Sequence, residues 1–179
     1  METKFYYLHG LHGSKASKKF LKLVEEYPNI ECLEWGINDN IEQKLIEWEQ
    51  IVFSNTFTFS CVIASSTGAN FAVQLRNKNK SKFFFLVLIN PLLDFNYLSN
   101  KSLIPSQLKS YLVQYGHIRE SLILISEKDN VINNIDFIKN NEYVKNNNQI
   151  IIDYESSHTF ENLASYYKNI NVLVNSIYL

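Results

Sequence analysis

A chain of 179 residues, 46% hydrophobic and 14% aromatic, is long and apolar enough for one domain with a sizeable core, and 20% charged residues excludes a disordered composition. The net charge is −1, and lysines and arginines are scattered, which excludes the basic face of an ordinary nucleic-acid binder. The longest apolar run, residues 83–89, falls far short of the ~20 residues of a membrane-spanning helix, and with no secretory leader read at the start a cytoplasmic protein is expected.

Strand-like runs and helical patterns alternate along the chain. Residues 4–8 read as a strand, and residues 15–27 as a helix with Phe20, Leu21, Leu23 and Val24 on one stripe. A strand at 30–35 precedes a helix at 41–52, whose Ile41, Leu45, Trp48 and Val52 recur at helical spacing. Next come a strand at 60–64, a helix at 69–77 and a strand at 83–90. A loop follows, rich in Asn and Ser and containing Pro105, before a helix at 106–115. Strands at 122–126 and 149–154 alternate with helices at 133–145 and 161–176. Several strands are apolar at nearly every position, which suits burial on both faces of a parallel sheet. The expectation is a single domain over residues 1–179, a three-layer α/β/α sandwich with a mostly parallel six-stranded sheet. Cys32 and Cys61 lack a CxxC spacing and read as buried free thiols of a reducing compartment, with a disulfide between them as the lesser alternative. The frequent asparagines suit turns and caps.

Ligands of open α/β sheets bind beyond the carboxyl ends of the strands, and four of those ends carry chemistry. The third strand runs into Ala64-Ser65-Ser66-Thr67-Gly68-Ala69. Ser66 between the small residues Ala64 and Gly68 fits a nucleophile elbow, a sharp strand-to-helix turn that lifts a serine above the sheet. An ordinary serine N-cap is the plainer reading of the same segment. The first strand ends in His9-Gly10-Leu11-His12-Gly13-Ser14. Such a loop can supply an oxyanion N–H from Leu11, to pair with that of Thr67; otherwise it is a glycine turn. GLHGSK lacks the length and ending of a phosphate-binding P-loop. His9 and His12 have no acidic or Cys partner nearby in sequence, so no metal site is expected.

The fifth strand is followed by Glu127-Lys128-Asp129. A carboxylate there can hold a catalytic imidazole, and Asp129 precedes the apolar pair Val131-Ile132 that would pin its loop. Glu127 and Asp94 are the fallback carboxylates. After the sixth strand comes Ser157-His158-Thr159-Phe160; His158 can reach back over the sheet as general base. His117, beside Gly116, falls at the opposite edge and is set aside. Taken together, Ser66, Asp129 and His158 follow the Ser–Asp–His order of α/β-hydrolases, each on its own strand end.

On these residues the chain resembles small α/β-hydrolases, and more narrowly the bacterial YqiA/YcfP-type esterases. Tyr7-Leu8-His9-Gly10, Ser65-Ser66-Thr67-Gly68, Ile89-Asn90-Pro91, Glu127-Lys128-Asp129 and Ser157-His158-Thr159-Phe160 carry the resemblance. Retinoblastoma-binding-protein-9-like serine hydrolases are similar in length and share a comparable elbow. Two departures stand out: Ala64 replaces the usual first glycine, and Thr67 and Ala69 occupy positions that are Leu and Gly in the YqiA-type pattern. The resemblance implies a minimal α/β-hydrolase without a large cap, hydrolysing small or short-acyl carboxylic esters or thioesters without a cofactor. Residues 92–107 leave room only for a small lid. Two rivals remain at this point: the same fold with an idle serine, serving as a protein-interaction or small-molecule-binding module, and a flavodoxin-like nucleotide or flavin binder. The oligomeric state is not legible.

Overall fold

In the computed structural model, residues 3–54, 59–80 and 82–176 are described. Strand β1 (Thr3–Leu8) leads through α1 (Lys18–Glu26) to β2 (Glu31–Cys32), and α2 (Ile41–Val52) leads to β3 (Phe59–Ser65). Helix α3 (Thr67–Lys78) follows, then β4 (Phe85–Ile89) and a long excursion containing two 3-10 turns and α4 (Ser106–Lys109). The chain continues through β5 (Ser121–Ser126), α5 (Asn134–Lys139), α6 (Glu142–Asn147), β6 (Gln149–Asp153) and α7 (Tyr167–Asn175). Among the described residues these strands form one six-stranded sheet in the order β2-β1-β3-β4-β5-β6, with every pairing parallel.

Alternation along each strand feeds two cores. Cys61 and Ile63 of β3, with Phe85, Val87 and Ile89 of β4, face α1 and α7 through Phe20, Leu23, Ile170 and Val174. Val62, Ala64, Leu86 and Leu88 face the other way, against α2, α3, α5 and α6. Near-continuous apolar runs are what a strand buried on both faces requires, and they produce the three layers expected from the sequence. The strand order reverses between β1 and β3, so the loops after these two strands flank the topological switch point.

Four elements differ from the sequence pattern, each for a tertiary reason. Residues 30–35 pair as a strand only at Glu31 and Cys32, because Trp35 turns inward to donate its indole N–H to the His9 carbonyl at 2.9 Å. The helix expected at 106–115 stops at Lys109: Gln74 takes the Tyr111 carbonyl, and Asn70 takes the Val113 carbonyl and N–H. The pattern at 133–145 breaks into α5 and α6, since Asn141 caps the second helix by accepting from Val144 N–H at 3.0 Å. At 161–176 the regular helix begins only at Tyr167, after a 3-10 turn, because Asn162 is tied back to the Ser156 hydroxyl. Asn40 and Asn133 cap α2 and α5 in the same way as Asn141.

Cys61 is buried and Cys32 partly so, and both are free. β1 lies between their strands.

Candidate active site

Ser66 follows the last residue of β3 and precedes the first of α3, and its φ of 50° lies in the left-handed region. That conformation is costly for a residue with a side chain, and the surrounding backbone holds it. Ser66 N–H donates to the Ile89 carbonyl, while its own carbonyl accepts from Ala69 and Leu92. The turn needs Gly68 because a Cβ there would fall 2.2 Å from the His9 carbonyl oxygen and 2.6 Å from that of Leu8. Helix α3 therefore starts in backbone contact with the end of β1. Ser65 points elsewhere, its hydroxyl 2.9 Å from that of Tyr7.

Non-glycine residues with positive φ cluster at this edge. His12, Ser66, Asn90 and Phe160 follow β1, β3, β4 and β6 in turn, and Glu120 lies at the other end of β5. Strained backbone concentrates where side chains must be aimed against local preference.

The structure brings Ser66, His158 and Asp129 into one chain of hydrogen bonds. Ser66 Oγ lies 3.2 Å from His158 Nε2, and His158 Nδ1 lies 2.9 and 2.8 Å from the two Asp129 oxygens. Asp129 is held from behind, its Oδ1 accepting the N–H groups of Val131 at 2.8 Å and Ile132 at 3.0 Å. Its side chain is 1% exposed against 22% for His158, so the carboxylate is sheltered while the imidazole borders solvent. The fallback carboxylates are not part of this chain: Glu127 is exposed, and Asp94 accepts from Asn96 and Gln114. His117 packs its ring on Tyr143.

Leu11 lies in the turn closed by Gly13 N–H on the Gly10 carbonyl. Gly10 abuts the elbow, since a Cβ there would lie 2.9 Å from Ser66 Cβ. Thr67, as first residue of α3, has an N–H that the helix itself cannot use. Among the described residues, no turn or loop carbonyl accepts from Leu11 or Thr67. His9 is committed to structure: Nδ1 lies 2.9 Å from the Gly10 carbonyl, Nε2 accepts from Trp35 N–H, and the ring stacks on Trp35. Burial lowers its pKa, which keeps it neutral.

Three residues to which the sequence alone attached no role hold the His158 loop. Asn90 is fully buried and donates its amide to the carbonyls of Ser157 and His158, while its Oδ1 accepts from Ser126 N–H at 2.7 Å. Asp153 closes the turn after β6 by accepting from Glu155, Ser156 and the Tyr166 hydroxyl. Burial pushes its carboxyl up, but these hydrogen bonds outweigh it and the pKa falls. Glu161 accepts from Ser157 and Thr159 on either side of His158. The one signal available beforehand was a polar residue at a strand end, as in Ile89-Asn90-Pro91, which does not say which group it will meet.

No protein-family model matches the sequence, and no curated protein matches it. Solved structures do match across its length. The ydeN gene product of B. subtilis superposes with a TM-score of 0.71 at 11% identity, covering 97% of this chain and 100% of that one. Mouse alpha/beta hydrolase domain-containing protein 10 gives 0.69 at 11% identity, over 97% and 90% of the two chains. XC6422 from Xanthomonas campestris, described as an α/β serine hydrolase without lid, gives 0.66 at 14% identity, over 97% and 81%. At these identities the likeness speaks for architecture, and the YqiA/YcfP-type assignment gains no specific support from it. This chain has the α/β-hydrolase fold, without a large cap among its described residues.

Proposed function

We propose that the protein is a serine hydrolase acting on small carboxylic esters or thioesters through an acyl-enzyme. Ser66 is the nucleophile, His158 the general base and Asp129 the group that orients the imidazole. His158 Nε2 takes the Ser66 proton as Oγ attacks the carbonyl carbon, and the oxyanion that forms is received by the N–H groups of Leu11 and Thr67. Collapse expels the alcohol or thiol, which takes the proton from His158. Water, deprotonated by the same imidazole, then releases the acid. Asp129 keeps the proton on Nδ1, leaving Nε2 free to accept, and stabilises the imidazolium.

The observation that carries this reading is the unbroken hydrogen-bond chain from Ser66 through His158 to Asp129, starting on a strained serine. A serine used only as a helix cap would need neither the left-handed φ nor an imidazole aimed at its hydroxyl. Support for small substrates comes from the segment after β4, which is bolted down: Asn70 on α3 binds the carbonyls of Leu92 and Val113 at 2.9 and 2.7 Å. Free Cys32 and Cys61 suit a reducing cytosol, and no helix among the described residues is long and apolar enough to cross a membrane.

The test is hydrolysis of p-nitrophenyl acetate and butyrate by wild type and Ser66→Ala, with fluorophosphonate labelling in parallel. We expect labelling only of wild type, and a fall in kcat of roughly 10⁴-fold or more in the variant. Undiminished turnover in Ser66→Ala removes this serine from the chemistry. A wild-type protein that is neither labelled nor active would return the fold to the class of binding modules. Preference for long-chain over acetyl or butyryl esters would overturn the size argument.

A further inference from the structure

The segment between β4 and β5 holds a feature that the reaction above does not use. Phe95, Leu98 and Ile104 line a cavity of about 210 Å³, and the other two residues on its wall are Lys101 and Lys109. Leu98 and Ile104 are buried, so the floor is apolar. From Phe95 to Ile118 the sequence contains these two lysines and no Asp or Glu, in a chain whose net charge is −1. Among the described residues neither ammonium is paired with a carboxylate.

The walls are also fixed. Leu98 bridges to Ile132, Ser99 N–H donates to the Val131 carbonyl, and Asn133 N–H donates to that of Tyr97. The hollow is thus tied to the loop that carries Asp129 and exists before anything enters it. A preformed site avoids the ordering cost that weakens binding to a mobile surface. Its volume is below the roughly 300–1,000 Å³ of sites for drug-sized ligands, which suits one short alkyl chain. Lysine is a compact point charge on a flexible stem, adapted to a single anionic group rather than to a bidentate fork.

We propose that this cavity binds a soluble medium-chain carboxylate, its alkyl chain against Phe95, Leu98 and Ile104 and its anionic head between Lys101 and Lys109. The site does not depend on Ser66 being a nucleophile.

Calorimetric titration with sodium octanoate, and with 1-octanol as the uncharged control, tests it. Wild type and Ser66→Ala are expected to bind octanoate alike and saturably, so that failure of this site and failure of the hydrolase reading are separable. The double variant Lys101→Gln/Lys109→Gln changes only exposed side chains and leaves the core intact. It should weaken octanoate by about 2- to 30-fold, the worth of two exposed ion pairs, and leave octanol unchanged. Ile104→Trp, checked for folding by circular dichroism, should remove both ligands. Absence of saturable octanoate binding overturns the proposal, as does octanoate affinity unmoved in the lysine variant. Binding to phosphatidylglycerol vesicles without binding to octanoate would assign the lysines to a lipid surface and also overturn it.

Discussion

The side-chain amide of Asn90 donates to the main-chain carbonyl of His158 at 3.1 Å, and to that of Ser157 at 3.2 Å. It also reaches the Ser126 hydroxyl at 2.9 Å, three residues before Asp129. One buried amide therefore joins the backbone carrying the imidazole to the strand end that precedes the carboxylate. Asn90 sits at φ 43°, so Asn90→Gly is the informative substitution, deleting the amide without adding backbone strain. Each orphaned buried partner costs about 1–3 kcal/mol. A displaced imidazole costs up to about 10²-fold in kcat, with KM little changed. Thermal melts and steady-state kinetics on p-nitrophenyl acetate separate the two effects. A lowered Tm with unchanged kcat would leave Asn90 a purely structural residue.

The glycines near Ser66 should fail in different ways. At Gly68 an added methyl meets main-chain oxygens of Leu8 and His9, which cannot rotate away. Gly68→Ala is therefore expected to destabilise by about 3 kcal/mol, the upper end of overpacking penalties, as read by urea denaturation. At Gly10 the nearest atom is Ser66 Cβ itself, at 2.9 Å. Gly10→Ala should thus lower kcat more than it lowers stability, because relief comes from moving the nucleophile. Equal stability losses in the two variants would contradict this distinction.

Much of this arrangement was legible in the chain because it is written in local chemistry. Continuous apolar runs announced strands buried on both faces, and small residues around Ser66 announced a tight turn. The order Ser66, Asp129, His158 fitted one sheet edge, and the structure joins all three. What was illegible depends on contacts distant in sequence. Nothing around Tyr111 or Val113 says that Gln74 and Asn70 will bind their carbonyls and end a helix. Nothing beside Asp153 says that its oxygens will close the turn leading to His158. Polar residues that hold a loop look, one at a time, like any surface asparagine or aspartate.

Lys19 of α1 gives the fold a dependence on alkaline pH. Burial pulls its pKa down to about 8 from the ordinary 10.5, against the opposing pull of Asp129 and Glu161. Between those values the unfolded chain holds the proton and the folded chain does not, so stability rises with pH across that window. Lys19→Met removes the titrating group, so wild type should gain on the variant as pH rises from about 8 to 10.5. Urea denaturation of both proteins across this range reads the difference. A gap between them that stays constant would mean that the Lys19 ammonium is as well solvated in the folded chain as in the unfolded one.

Glu161 makes the loop around His158 sensitive to acid. Its carboxylate accepts from the N–H and hydroxyl of Ser157, at 2.8 and 2.6 Å, and from the Thr159 hydroxyl. The hydroxyls of Ser157 and Thr159 hold its pKa at about 2, below the ordinary 4.5. Between those values the unfolded chain binds the proton and the folded chain does not, so stability rises with pH across that window. The contribution is therefore complete above pH 4.5 and drains away as pH falls towards 2. Glu161 is exposed, so solvent screening keeps the effect modest. Glu161→Gln should be less stable than wild type at pH 7, and the two should converge as the medium becomes acidic enough to protonate the native carboxylate. Urea denaturation of both proteins across this range reads the difference directly. A gap that stays constant down to the lowest pH would mean that the charge on Glu161 does not hold the loop, and that its oxygens serve equally well as neutral acceptors.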